Sequence, residues 1–167
     1  MRVRSEQPAD VSAIHALHTA AFEKSVEADL VDALRTAAEP LVSLVADDDG
    51  EIIGHILFSP VTLSGYSDAK IMGLAPMAVH PTKQRHGVGS ALIVAGLERC
   101  KELGYGAVVV LGHRAYYPRF GFQPSVRCGI KSEYDVPDDV FMIKEIEPRY
   151  LEGKSGTIRY HSAFAGL

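Results

Sequence analysis

The most constraining stretch of this sequence is LAPMAVHPTKQRHGVGSALI, residues 74–93. An apolar strand pattern ends at His80-Pro81, a polar loop follows, and Gly87 and Gly89 open an apolar helical pattern. Glycines let a backbone approach a ligand closely, and the free N–H groups at the start of a helix bind phosphate oxygens. A tight turn without a ligand also uses glycines, so the spacing alone leaves both interpretations open.

Basic side chains surround these glycines, although the chain as a whole is acidic. Lys83, Arg85 and His86 lie in the loop, whereas the formal net charge of the chain is -4 at pH 7. The local positive charge favours a polyanionic ligand, and the acidic total argues against broad binding to nucleic acid. Two common phosphate loops are excluded, because the sequence lacks GxxxxGK followed by Ser or Thr and has an incomplete GxGxxG.

The overall composition is typical of an ordinary soluble globular chain. The 167 residues fall within the usual size of one domain and are enough to bury a hydrophobic core. No run approaches the roughly 18 apolar residues of a membrane helix, and the first residues lack the apolar block of a secretory signal. We therefore expect a cytoplasmic protein without membrane binding, in which Cys100 and Cys128 are free thiols.

Hydrophobic periodicity and turn signals predict two helices, a hairpin and a strand-helix-strand unit, in that order. Asp49-Gly50 is the hairpin turn, and Gly104 ends the helix that follows the loop. This order favours a mixed sheet with helices packed on it. The predicted helices are 8–21, 27–38 and 88–103, and the predicted strands begin near Val3, Leu41, Glu51, Ile71, Ala107, Gly121, Val140 and Thr157.

The loop has the spacing QxxGxG, formed by Gln84, Gly87 and Gly89. This pattern resembles the acetyl-CoA signature of the GCN5-related N-acetyltransferase (GNAT) superfamily, which begins with Gln or Arg and ends with Gly or Ala. Residues 116–122, YYPRFGF, are similar to a later motif of that superfamily, in which a Tyr precedes Gly-Phe by a few residues. In this register the Tyr is Tyr117. The order of the predicted elements is also similar to that of the superfamily.

Two prolines depart from the family pattern. Pro118 directly follows the matched Tyr, where the family commonly has a charged helix former, and Pro76 lies inside the central strand. Because proline has no backbone N–H, we expect Pro76 to mark a bulge or splay at which the cofactor inserts.

The resemblance implies both a fold and a ligand. The fold is an α/β, GNAT-type mixed and mostly antiparallel central sheet flanked by helices, with a splayed parallel strand pair that holds acetyl-CoA. The domain spans residues 1–146, and residues 147–167 are a C-terminal extension packed on it. The cofactor-binding residues that the resemblance implies are Met77, Ala78, Val79, Gln84, Arg85, His86, Gly87, Val88, Gly89 and Ser90.

The resemblance further implies transfer of an acetyl group from acetyl-CoA to a primary amine by direct attack in a ternary complex. Tyr117 holds the general-acid position, although a slip of one residue would exchange it for Tyr116. A strand N–H near Met77 would stabilise the oxyanion. The sequence does not single out a base, and glutamates in the helix linker are also typical of a solvated surface. The candidate acceptor-binding residues are Glu23, Glu27 and His113.

The remaining expectations concern the acceptor, alternative functions, metal binding and the oligomeric state. The acceptor is a primary amine on a small molecule or a protein, and a non-catalytic acyl-CoA-binding sensor would keep the same loop. A nucleotide-binding domain would need an acidic ribose reader and a phosphate lysine, which this sequence lacks. We expect no metal, since His15 and His18 have no evident third ligand. An open sheet edge, or a tail strand near Thr157, is compatible with a homodimer.

Overall fold

Two helices, a pair of long strands and a strand-helix-strand unit follow one another along the chain, as the sequence predicts. The computed structural model describes residues 1–165. Helix α1 spans Val11–Phe22, α2 spans Val26–Ala37 and α3 spans Val88–Glu102. The strands are β1 Arg2–Ser5, β2 Val42–Asp48, β3 Glu51–Leu63, β4 Tyr66–Val79, β5 Ala107–Leu111, β6 Gln123–Pro124, β7 Ile130–Ser132, β8 Phe141–Glu145 and β9 Gly156–Arg159.

The strands of residues 1–165 form a 9-stranded sheet. Its main path runs β1-β2-β3-β4-β5-β8-β6, and β9 pairs with both β3 and β7. Neighbouring strands are antiparallel except for β4 with β5 and the short pair of β7 with β9. The predicted mixed, mostly antiparallel sheet flanked by helices is therefore confirmed.

The central strand β4 is irregular where the sequence places its proline. The register with β3 shifts between the pairs Ile56–Met77 and Phe58–Leu74, so a bulge surrounds Pro76. On the other edge, β4 pairs with β5 only as far as Gly73 and Val109. The strands part beyond this point, because proline supplies no ladder donor and a bulge bends its strand. The expected splay at Pro76 is thus confirmed.

Helices cover both faces of the sheet and pack on two of its three clusters of buried apolar side chains. Helix α3 buries Val88, Leu92 and Ile93 against one face, together with Phe58 and Met72. Helices α1 and α2 cover the other face through Ile14, Leu30, Leu34, Val45 and Leu57. Each fully buried aliphatic side chain contributes about 1.5–3 kcal/mol, so these contacts fix where α3 begins relative to β4.

Some strands differ from the sequence-based predictions. Strand β4 begins at Tyr66 rather than near Ile71, and β7 was not predicted. Strand β9 is paired with β3 on one side and β7 on the other, so this tail strand has no open edge to offer to a second copy. Short strands such as these depend on distant partners more than on their own hydrophobic pattern.

A buried chain of polar side chains links α1 to the sheet. His18 and His55 are both fully buried, and Nε2 of His18 lies 2.8 Å from Nδ1 of His55. Nε2 of His55 lies 2.8 Å from Oγ of Ser43, which in turn donates a hydrogen bond of 2.6 Å to the Glu6 carboxylate. The Arg35 guanidinium pairs with the same carboxylate at 2.7 Å. This series of hydrogen bonds thus runs from the buried His18 imidazole to the partly exposed ion pair of Glu6 and Arg35.

The direction of this chain sets the tautomer of both rings. Because Ser43 donates to Glu6, its oxygen accepts from Nε2–H of His55, which leaves Nδ1 of His55 as an acceptor for Nε2–H of His18. Both rings are then neutral. Burial lowers the pKa of His18 to about 4, and burial lowers the pKa of His55 well below its ordinary value.

The free energy of unfolding should therefore fall as the pH drops below 6.5, the ordinary histidine pKa. Below pH 6.5 the two histidines take up protons in the unfolded chain but stay neutral in the folded chain. The free energy of unfolding is therefore highest above pH 6.5 and falls toward pH 4, by up to about 1.4 kcal/mol per pH unit for each ring. His18→Gln removes one titrating ring but keeps a donor for His55. Urea unfolding between pH 5 and 7 should show a slope smaller by about 1 kcal/mol per pH unit.

The control is Ala16→Gln, at an exposed position of the same helix, which adds no titrating group and should leave the slope at the wild-type value. An equal slope in His18→Gln and the wild type would show that His18 takes up protons as readily in the folded chain as in the unfolded chain.

Candidate functional site

Two cavities meet at the opening between β4 and β5. The first, here called the cleft, has about 690 Å³ and runs along the start of α3. The second, here called the pocket, has about 680 Å³ and lies between the end of α1, the start of α2 and the last residues of the described chain. Met77, His113 and Tyr117 line both cavities. Two ligands could therefore touch each other at these side chains.

The loop before α3 supplies most of the cleft. Strand β4 ends at Val79, a short 3₁₀ turn covers Pro81–Lys83, and the Gln84 amide donates a hydrogen bond of 3.2 Å to the Val79 carbonyl. This bond closes the loop across its base. The residues that line the cleft are Met77, Val79, Gln84, Arg85, Gly87, Val88, Gly89, Ser90, His113, Tyr116, Tyr117 and Arg119.

The start of α3 presents free backbone donors to the cleft. The first helical hydrogen bond runs from Ala91 N–H to the Gly87 carbonyl at 3.1 Å. The N–H groups of Val88, Gly89 and Ser90 precede it and have no acceptor within the helix. Arg85 and Arg119 add two cations to the same cavity. Backbone donors, the helix dipole and the guanidinium groups together make this end of the cleft an anion site.

The two glycines of the loop serve different purposes. Gly87 has a φ of 83°, in the left-handed region, with open space where a Cβ would lie. Gly89 has an ordinary helical backbone, but a Cβ there would lie 3.1 Å from the Tyr116 hydroxyl. Gly87 is therefore favoured by its backbone conformation, whereas a side chain at position 89 would have to displace the Tyr116 hydroxyl by a few tenths of an ångström.

The adjacent tyrosines have different surroundings. The Tyr116 hydroxyl lies 3.3 Å from Ser90 Oγ at the start of α3, and the Arg119 guanidinium stacks over the Tyr116 ring at 4.6 Å from its centroid. Tyr116 thus ties the 3₁₀ turn at Tyr117–Phe120 to the helix and supports the loop.

Tyr117 lies at the junction of the two cavities. Its side chain is buried, packs edge-on against Phe122 and Tyr116, and fills the space beside Gly112, where a Cβ would lie 2.5 Å from the ring. Burial raises the pKa of Tyr117 to about 12. The phenol therefore keeps its proton at every pH near neutrality and is a hydrogen-bond donor at the junction.

The pocket is apolar, with one carboxylate at its wall. Glu27, in the first turn of α2, has Oε2 buried without any partner in the described part of the chain, while Oε1 lies 3.9 Å from Lys24 Nζ. A buried carboxylate oxygen without a donor is costly unless a ligand supplies one. The aromatic rings that line the pocket are Phe22, Tyr117, Tyr134, Tyr160 and Phe164.

Some residues singled out in the sequence lie away from these cavities. Glu23 is exposed and ends α1 with a left-handed φ of 59°, and it lines neither the cleft nor the pocket. Ala78 is buried and pairs with His55, and His86 is exposed on the loop. His15 and His18 do not form a pair of metal ligands, because His15 lies 3.1 Å from Asp29 and His18 contacts His55.

Sequence reasoning missed several residues of both cavities. Arg119 is the cation inside YYPRFGF, two residues after the matched Tyr, and its place in this motif could have indicated a role in the site. Phe22, Tyr134, Tyr160 and Phe164 come from three distant segments and carry no common spacing. Only the folded chain brings them to one pocket.

The cleft suits a long ligand with an anionic end, and the pocket suits a second, largely apolar reactant. The cleft offers cations and free N–H groups at one end and the open edge of β4 along its length. The junction offers a phenol donor, and the pocket offers an unpaired carboxylate oxygen among aromatic rings. These are the parts needed to bring a nucleophile to an activated carbonyl carbon.

Comparison with known families and proteins agrees with this chemistry. The model of the acetyltransferase (GNAT) domain matches residues 2–125. The chain is similar to the uncharacterized N-acetyltransferase YhbS of Escherichia coli strain K12, with 36% identity over 165 residues that cover 98% of each protein.

Solved structures give the same result. The chain matches Escherichia coli YhbS in complex with CoA with a TM-score of 0.92 and 36% identity, covering 98% of this chain and 91% of that one. It matches a GNAT family acetyltransferase from Brucella melitensis, solved with acetyl-CoA, with a TM-score of 0.81 and 35% identity, covering 98% of this chain and 97% of that one.

Proposed function

The chain belongs to the GNAT family of N-acetyltransferases, and we propose that it transfers the acetyl group of acetyl-CoA to a primary amine by direct attack within a ternary complex. The observation that carries this mechanism is the meeting of the cleft and the pocket at Met77, His113 and Tyr117. A thioester held in the cleft and an amine held in the pocket would be adjacent there, so a covalent enzyme intermediate is unnecessary.

The cleft fits CoA by its donor groups. Val88, Gly89 and Ser90 offer free N–H groups to the pyrophosphate, and Arg85 and Arg119 offer positive charge. The edge of β4 that β5 leaves unpaired offers backbone groups at Met77 and Val79, which line the cleft, to an extended pantetheine arm, in the manner of an added strand. CoA and acetyl-CoA in the two solved relatives support this assignment.

The reaction needs one bond to form and one to break. The amine nitrogen bonds to the acetyl carbon, the carbon–sulfur bond to CoA breaks, and the proton lost by the nitrogen replaces the acetyl group on sulfur. A backbone N–H on the open edge of β4 near Met77 donates to the carbonyl oxygen as negative charge develops there, which is worth about 2.7–4 kcal/mol per donor in other acyl transfers.

Tyr117 acts on the departing sulfur as a hydrogen-bond donor. A phenol with a pKa of about 12 is a weaker acid than a thiol with a pKa of about 8.5, so complete proton transfer from Tyr117 to the thiolate would be uphill. The hydrogen bond stabilises the thiolate while the carbon–sulfur bond breaks, and the proton of the amine then neutralises the sulfur.

Glu27 and His113 hold the amine before the attack. The unpartnered Oε2 of Glu27 is placed to accept a hydrogen bond from an ammonium group in the pocket, and His113 lines the junction through which the amine must pass. An ammonium group has no lone pair, so it must lose one proton to a base or to water before it reacts.

Binding of acetyl-CoA tests the donor assignment, and Gly87→Glu is the diagnostic variant. A carboxylate at this position would face the incoming phosphates from a strained left-handed backbone, so the variant should lose at least about 100-fold in affinity for acetyl-CoA by isothermal titration calorimetry.

Gly104→Glu is the matched control. Gly104 has the same φ of 83° and the same open space, but it lies at the far end of α3. It shares the backbone strain and should bind acetyl-CoA like the wild type. Equal affinities of Gly87→Glu and the wild type would refute the phosphate site, and wild-type protein that binds no acetyl-CoA would refute the proposed function.

Replacing Tyr117 by Phe tests the hydrogen bond to sulfur. The ring still packs against Phe122, so we expect kcat to fall by about 100-fold while the dissociation constant of acetyl-CoA changes little. Stopped-flow detection of free CoA thiol measures the rate with any amine that is turned over. Tyr116→Phe, which loses only the contact with Ser90, is the control, and an equal kcat in both variants would contradict the assignment.

A further inference from the structure

The wall of the pocket carries an unusual number of aromatic rings near its mouth. Phe22 is 37% exposed and Tyr134 is 40% exposed, although both side chains line the pocket. The Tyr134 ring lies 5.8 Å from the Tyr160 ring, which lies 5.1 Å from the Phe164 ring, so these three form a continuous aromatic wall. Exposed rings that extend a buried wall offer contact area to a ligand with its own apolar surface.

Charge in the pocket is limited to one ammonium-binding group. Among the lining residues that the structure describes, Glu27 is the single carboxylate. Its Oε2 is buried without a donor, and its Oε1 faces Lys24. One ammonium group would supply the missing donor to Oε2.

This charge pattern disfavours polyamines and aminosugars as acceptors. Each further ammonium group in the pocket would be desolvated beside Leu30, Leu74 or Val136 without a second carboxylate. A lysine side chain has one ammonium group but only a methylene stem, and it would leave most of the aromatic wall in a pocket of about 680 Å³ without contact.

We propose that the acceptor is a small primary amine with a single positive charge on an aromatic or cyclic aliphatic body. This substrate class rests on the proposed function, because it names the occupant of the same acceptor pocket. The ammonium group lies at Glu27, and the apolar body lies between Phe22 and the wall formed by Tyr134, Tyr160 and Phe164.

A panel of amines tests this substrate class directly. Release of CoA thiol is followed with 2-phenylethylamine, 2-cyclohexylethylamine, ethylamine, spermidine, kanamycin and an Nα-acetyl-lysine amide. We expect kcat/KM for either ring-bearing amine to exceed that for ethylamine, spermidine, kanamycin and the lysine derivative by at least about 10-fold. Ethylamine lacks the apolar body, and one buried methylene alone is worth about 10-fold. The other three amines bring further unpaired charges into the pocket or leave the aromatic wall without contact.

Two pocket variants connect the preference to the wall. Phe22→Ala should lower the ratio of kcat/KM for 2-phenylethylamine over ethylamine by at least about 10-fold. Glu27→Gln, which keeps the shape but loses the charge, should raise KM for both amines and leave that ratio nearly unchanged. Val94→Ala is the control, since Val94 is 61% exposed on α3 and lies outside both cavities.

The outcomes separate this inference from the proposed function. If the protein binds acetyl-CoA and prefers spermidine, kanamycin or the lysine derivative, the substrate class is wrong and the acetyl transfer stands. A Phe22→Ala ratio equal to that of Val94→Ala would also overturn the substrate class. Binding of acetyl-CoA without CoA release from any amine would instead refute the catalytic proposal and favour an acyl-CoA sensor.

Discussion

The backbone pairing of β4 with β5 stops after Gly73 and Val109, and both cavities exist because of this parting. Pro76 and the bulge around it bend β4 and remove a ladder donor at the point where the gap begins. Helix α3 on one face and helices α1 and α2 on the other hold the gap open through separate cores. The edge of β4 beyond Gly73 is therefore left without a paired strand on the β5 side, and in the proposed function an extended ligand lies along it.

Different residues around this gap form the anion end of the cleft and the junction of the two cavities. At the start of α3, Gly87 adopts the left-handed turn and Gly89 lets Tyr116 approach closely, so both backbone conformation and packing shape the anion end. Tyr117 lies one residue further along and reaches the junction instead. Of these two neighbouring tyrosines, Tyr116 thus supports the loop and Tyr117 lines the junction at which we propose that the reactants meet.

The sequence predicted those features of the fold and the site that depend on residues close together in the chain. The loop from Gln84 to Ser90 follows a strand end within a few residues and contains both glycines and the start of a helix. The bulge in β4 could be predicted because proline lacks the backbone N–H that a regular strand needs. The His18–His55 pair and the aromatic wall join segments far apart in the chain, so no spacing could reveal them. The linker glutamates had the same appearance in the sequence, and only the packing of α2 separates Glu27 in the pocket from exposed Glu23.

In the proposed reaction both reactants meet at one junction, so the acetyl group passes directly to the amine. Rapid quenching with acetyl-labelled acetyl-CoA distinguishes this route from one through a covalent enzyme intermediate. We expect that no label becomes attached to the protein without an amine, and that labelled amide forms in a single exponential phase once an amine is added. A labelled protein that forms first and passes its label to the amine at the rate of turnover would overturn direct transfer.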